Sequence, residues 1–172
     1  MNKVILEYVW LDGYKTANLR SKVKVMDWET EASLTLKDIP EWNFDGSSTR
    51  QAPGSDSECL LKPVRIYSSD DHSYIVMCEV MNPSGSPHQS NHRAKLRATL
   101  NNTKDQGFWW GFEQEYFITK GFKPLGFPEG GYPSPQGLYY CGVGGNQVVG
   151  RKMVEKHMRK CLQYGMDITG VN

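Results

Sequence analysis

Residues 108–117 read Phe-Trp-Trp-Gly-Phe-Glu-Gln-Glu-Tyr-Phe, which sets two carboxylates, Glu113 and Glu115, inside an aromatic run. Aromatic neighbours of this kind favour a strand. On a strand, side chains two apart share a face, so both carboxylates point into one space, roughly 6–7 Å apart along the chain. Trp109 and Phe117 would wall that space. Two like charges beside an apolar wall repel each other and lose solvation. A cation relieves both costs, and oxygen-only ligands suit a hard divalent ion such as Mg2+ or Mn2+. An edge strand whose acidic face meets water accounts for the same pattern.

Three other groups invite chemistry. Asp45-Gly46-Ser47-Ser48-Thr49 offers a carboxylate, hydroxyls and backbone amides to a cation or phosphate. The same run also makes a turn capped by its own side chains. Gly142, Gly144 and Gly145 resemble a phosphate loop only weakly, because they follow neither GxxxxGK nor a strand–GxGxxG–helix unit. The four histidines lack metal-ligand spacing, and His157 reads as a packed residue near the apolar side of a helix.

The elements that must position these residues follow from periodicity. Val4, Leu6, Tyr8 and Trp10 alternate along residues 3–10, Asp12-Gly13 signals a hairpin, and residues 19–25 alternate again, predicting two antiparallel strands. Residues 40–58 read as a long ordered loop, and residues 74–80 as a buried strand. Residues 82–89 form a linker, after which Ser90 or Asn91 caps a helix to about Leu100. Residues 121–146, rich in glycine and proline, read as an ordered loop packed on a core. A second helix runs from about Gly150 to Tyr164, with Val154, Met158, Cys161 and Leu162 as its apolar stripe and Gly165 as its C′ residue. Residues 166–171 read as the start of another strand.

The chain has 172 residues, 38% of them hydrophobic, enough for one ordinary domain or two small ones. A net charge of +1 gives no electrostatic case for nucleic acid or a membrane surface. No apolar run approaches the roughly 20 residues of a membrane span. The N-terminus lacks an apolar signal region, and the four cysteines form no CxxC pair, so a cytoplasmic chain with reduced thiols is expected.

Several longer motifs converge. They are Glu7-Tyr8-Val9-Trp10-Leu11-Asp12-Gly13, Trp42-Asn43-Phe44-Asp45-Gly46-Ser47-Ser48-Thr49 and Gln51-Ala52-Pro53-Gly54-Ser55-Asp56-Ser57-Glu58. Farther along stand Val76-Met77-Cys78-Glu79, Gly111-Phe112-Glu113-Gln114-Glu115-Tyr116 and Pro135-Gln136-Gly137-Leu138-Tyr139-Tyr140-Cys141-Gly142-Val143-Gly144. With these motifs in this order, the chain resembles glutamine synthetase, specifically the type II form.

The resemblance implies an α+β chain. Residues 1–82 would be a β-grasp domain, 83–106 a linker and helix, and 107–172 the incomplete beginning of a catalytic α/β domain. It implies ATP-dependent joining of ammonium to L-glutamate through a γ-glutamyl phosphate. Glu113 and Glu115 would be ligands for Mg2+ or Mn2+, and Trp109 would stand beside the nucleotide, with ATP as substrate. Asp45, Ser48 and Tyr140 would serve the ammonium site, Asp45 and Ser48 by reaching a neighbouring subunit in a homo-oligomeric ring, a decamer of two pentamers. Trp110 departs from the usual Phe, adding volume without charge. The chain covers roughly the first half of such a subunit. Two further metal carboxylates, a metal histidine, arginines and a flap glutamate would lie beyond it. By itself it is expected to be inactive. A non-catalytic assembly or regulatory chain using the β-grasp surface is the alternative.

Overall fold

The computed structural model describes residues 2–29, 33–69, 72–130, 140–145 and 147–171. It divides into two compact units, Met1–Phe108 and Trp109–Asn172. Together they make a mixed α+β chain.

The first unit is built on five strands: β1 (Asn2–Leu11), β2 (Leu19–Trp28), β3 (Trp42–Asp45), β4 (Glu58–Ser68) and β5 (Ser73–Met81). Their order across the sheet is β2-β1-β5-β4-β3. All neighbours are antiparallel except β1 and β5, which pair in parallel from Ile5 opposite Ser73 to Val9 opposite Met77. The alternation of β1 sends Val4, Leu6, Tyr8 and Trp10 into the core, all nearly inaccessible. Phe44, Cys59, Leu61, Val76, Cys78 and Val80 meet them from the other strands, and Leu34 and Ile39 close the core from the segment before β3. Burying a side chain such as Leu6 or Leu61 contributes about 1.5–3 kcal/mol. The sheet curls into a half-barrel. Its two edges come within reach of each other, for Lys22 of β2 donates to the Asn43 carbonyl of β3 at 2.8 Å.

Pro63 lies where β4 runs past the end of β3, and the register slips between Pro63 and Arg65. That is how a residue without an N–H is accommodated in a ladder. Helix α1 (His92–Asn102) follows, and Asn91 is its cap, accepting from Ala94 N at 2.9 Å.

The second unit differs from the sequence reading. No strand covers residues 108–118. The only ladder among its described residues is a two-residue ribbon, β6 (Thr119–Lys120) with β7 (Lys123–Pro124). Strand propensity needs a partner to satisfy backbone N–H and C=O groups, and no described segment pairs with the aromatic run. Trp109 is 98% exposed and Phe117 75%, so they wall no enclosed space. No strand forms over the described residues 166–171 either. Helix α2 (Arg151–Gln163) does form. Val154, Met158 and Cys161 are half-buried on it, while Leu162 stays exposed. Much of the 121–146 loop, including 131–139 and Asn146, lies outside the described residues, and its described part is mainly exposed.

Candidate functional site

Strand β3 delivers Asp45 to the start of a short 3-10 turn, Gly46–Thr49. The carboxylate caps that turn. Its Oδ1 accepts from Ser47 N at 2.9 Å and from Ser47 Oγ at 2.6 Å. The Ser47 hydroxyl, then its N–H, hold the Asp45 carboxyl below the usual carboxylate range, against a smaller opposing effect of burial. Asp45 and Ser48 are both exposed. The result is an ionised, oriented carboxylate at the surface beside serine hydroxyls, an arrangement suited to attracting a cation.

What makes this loop rigid lies beneath it, in contacts made by Gly13, Gly46, Thr49 and Gln51, to which the motif reading gave no such role, and by His88, which lies outside the motifs. Gly13 N donates to Thr49 O at 2.9 Å, and Gly46 N to Ser57 O at 2.7 Å. A Cβ on Gly13 would stand 2.3 Å from the Arg50 carbonyl oxygen, and one on Gly46 2.6 Å from Cys59 Sγ, so both close approaches require glycine. Buried Thr49 Oγ1 donates to Gln51 Oε1 at 2.8 Å, and Gln51 Nε2 donates to Leu11 O at 3.1 Å and Ser90 Oγ at 2.9 Å. Buried His88 completes the clamp. Ser90 N donates to its Nδ1 at 3.1 Å, which leaves Nε2–H to donate to Gln51 O at 2.6 Å. The 45–52 loop is thereby tied to the end of β1 and to the start of α1. The partners of Gln51 lie 37–40 positions away, so no local sequence signal pairs them.

Asp12 anchors the β1–β2 connection. It is buried, accepts from Asn18 N at 3.0 Å and Tyr14 N at 3.2 Å, and pairs with Arg20 at 2.9 Å. The hairpin itself matches the reading, but Asp12 sits inside the fold rather than at a turn tip.

In the second unit, Trp109, Glu113, Glu115 and Tyr140 are exposed, Tyr140 at 63%. Glu113 and Glu115 lie in irregular chain, and no group of three or more potential metal ligands occurs among the described residues. Their carboxylate oxygens have the right chemistry for a hard divalent ion but supply only part of its shell of six or more ligands. Tyr116 Oη and His157 Nδ1 stand 3.3 Å apart, with their rings edge-to-face at 5.5 Å, which links the acidic segment to α2. A cavity of about 170 Å³ opens beside Cys141, Gly142, Val149 and Arg151, and neither acidic residue lines it. The Pro135–Tyr139 part of the motif before Tyr140 lies outside the described residues. No helix among the described residues is long and apolar enough to cross a membrane.

No family model matches the chain. Individual relatives do. A glutamine synthetase of Bradyrhizobium diazoefficiens is 49% identical over all of this chain and 49% of its own length. One of Rhizobium meliloti is 47% identical over the whole chain and 52% of its own length. One of Saccharomyces cerevisiae is 44% identical over 99% of the chain and 46% of its own length. The chain is a glutamine synthetase homologue that corresponds to the N-terminal part of those proteins and spans about half the length of the curated relatives it matches.

Proposed function

We propose that these residues supply the N-terminal portion of a type II glutamine synthetase, an enzyme joining ammonium to L-glutamate at the expense of ATP. The observation that carries this reading is identity of 43–49% along essentially the whole chain. The five strands make the β-grasp domain of residues 1–82, followed by the linker and helix of 83–106. Residues 107–172 begin the catalytic domain. The protein works in the cytoplasm as a ring of identical subunits.

In this reading Asp45 and Ser48 project from the clamped loop toward a neighbouring subunit's site. Asp45, kept ionised by Ser47, binds ammonium through charge and takes its proton as the nitrogen is consumed. Tyr140 lends its hydroxyl to the same site, and Trp109 offers a flat apolar face to the nucleotide base. Glu113 and Glu115 would hold Mg2+ or Mn2+, which when bound neutralises phosphate charge during transfer. The 172 residues alone do not turn over, because phosphoryl transfer needs more positioned cationic groups than this segment provides.

The test is an assay of the isolated chain for γ-glutamyl transfer and ATP-dependent synthesis. No turnover is expected. Turnover that disappears in Glu113→Ala would overturn the statement that the segment is insufficient. Electron paramagnetic resonance should show only weak Mn2+ binding, reduced further by Glu113→Gln with Glu115→Gln. Tight binding unaffected by that pair would overturn the ligand assignment.

A further inference from the structure

Strand β2 is patterned in reverse. Its exposed face carries Leu19, Val23 and Val25, while Arg20, Lys22 and Lys24 occupy the half-buried face. Arg20 is neutralised by Asp12. Lys22 and Lys24 have no carboxylate within ion-pair distance among the described residues.

Both ammonium groups converge on one ring. Lys22 Nζ lies 3.5 Å from the Trp42 centroid and Lys24 Nζ 5.0 Å from it. Tyr8 also packs edge-to-face with the ring at 5.3 Å, and Tyr8 Oη donates to Pro40 O at 2.7 Å. Of its three donors, Lys22 spends one on Asn43 O. Burial, then the charge of Lys24, push the Lys22 ammonium below the usual lysine range. That is the direction expected of crowded like charges with no carboxylate within ion-pair distance among the described residues.

A single aromatic face offsets the cost of one desolvated cation modestly, and of two poorly. We propose that the seam between β2 and β3 is an oxyanion-binding site, where a phosphate or carboxylate group bridges Lys22 and Lys24 beside Trp42. Charge-assisted hydrogen bonds from two ammonium groups fit either oxyanion. Such a ligand would brace the sheet's two edges three residues from Asp45, independently of the catalytic reading.

The test is a tryptophan fluorescence titration at constant ionic strength, with inorganic phosphate or citrate replacing chloride. The Trp42 signal is defined by difference from Trp42→Phe. A saturable change is expected with at least one of the two anions, and the stronger response tells a phosphate ligand from a carboxylate one. Lys24→Gln should weaken binding about tenfold and Lys24→Arg should largely retain it. Lys22→Gln also removes the link to β3, so the Lys24 variants carry the test, with circular dichroism reporting the fold. A response no different from chloride with both anions, or unchanged binding in folded Lys24→Gln, would overturn the proposal.

Discussion

Glu79, wholly buried on β5, is held by one nitrogen of Arg97 on α1: Nη2 lies 2.9 Å from Oε1 and 3.0 Å from Oε2. Asn91 Nδ2 adds a longer bond at 3.4 Å. The pair docks α1 onto a sheet that otherwise meets it with few apolar groups, for the helix buries no residue fully. Arg97→Met should strand the carboxylate and cost about 1–3 kcal/mol in chemical denaturation, discounted because Arg97 is half exposed. Glu79→Gln combined with Arg97→Met should recover part of that loss. An additive double mutant would show that the two do not act as a pair.

Arg50 has φ 57°, in the left-handed region, directly after the 3-10 turn. Its guanidinium lies 4.4 Å from the Tyr14 ring centroid. Removing the side chain by Arg50→Ala or Arg50→Gly loses that contact equally, but only glycine relieves the backbone. Arg50→Gly should therefore be more stable than Arg50→Ala by about 1–2 kcal/mol. Equal thermal midpoints would contradict the strain.

Gly13→Ala should be far more damaging than an exposed glycine change such as Gly54→Ala. Its Cβ would meet a backbone carbonyl that cannot rotate away. A cost of about 1–3 kcal/mol is expected, with faster hydrogen exchange at Gly13 and Gln51 amides. Protection unchanged at Gln51 would show that the clamp does not depend on this approach.

The Asp12 carboxyl lies below the usual carboxylate range. Burial opposes this, and the Asn18 and Tyr14 N–H groups, then Arg20, outweigh it. The folded state thus binds fewer protons than the unfolded chain. Its stabilising effect is present above the unfolded value of about 3.9 and is lost as pH falls through the folded value. Asp12→Asn should flatten the acid limb of stability against pH. A limb of unchanged steepness would place the linkage elsewhere.

Exposure of Phe108, Trp109, Trp110, Phe112 and Phe117 in one run predicts association of the isolated chain. Light scattering should show oligomers or aggregates that decrease when a matching C-terminal portion is co-expressed. A monodisperse monomer would contradict this.

Local periodicity made the β1–β2 hairpin, the β5 strand, the Asn91 cap and α2 legible, because each rests on residues close in sequence. The parallel pairing of β1 with β5 was not legible, since nothing local distinguishes it from antiparallel pairing. β3 was hidden within the long polar loop because only Phe44 of its four residues is buried. Glu113 and Glu115 stood out through composition, but the strand inferred around them depended on a pairing partner that propensity cannot supply. The motifs pointed to Asp45. The structure adds why it can be held still, through Thr49, Gln51 and His88, whose partners are distant in sequence.

The proposed role of these residues is the N-terminal portion of a glutamine synthetase site. The most direct measurement replaces the matching half of the Bradyrhizobium diazoefficiens relative with this chain, then follows ATP-dependent glutamine formation from glutamate and ammonium. An assembled chimera should turn over, and Asp45→Ala or Glu113→Ala should each lower kcat/KM by at least about a hundredfold, on the scale of losing one charge-stabilising group. A chimera that assembles into a ring yet makes no glutamine, or one that keeps its rate in both variants, would contradict the claim.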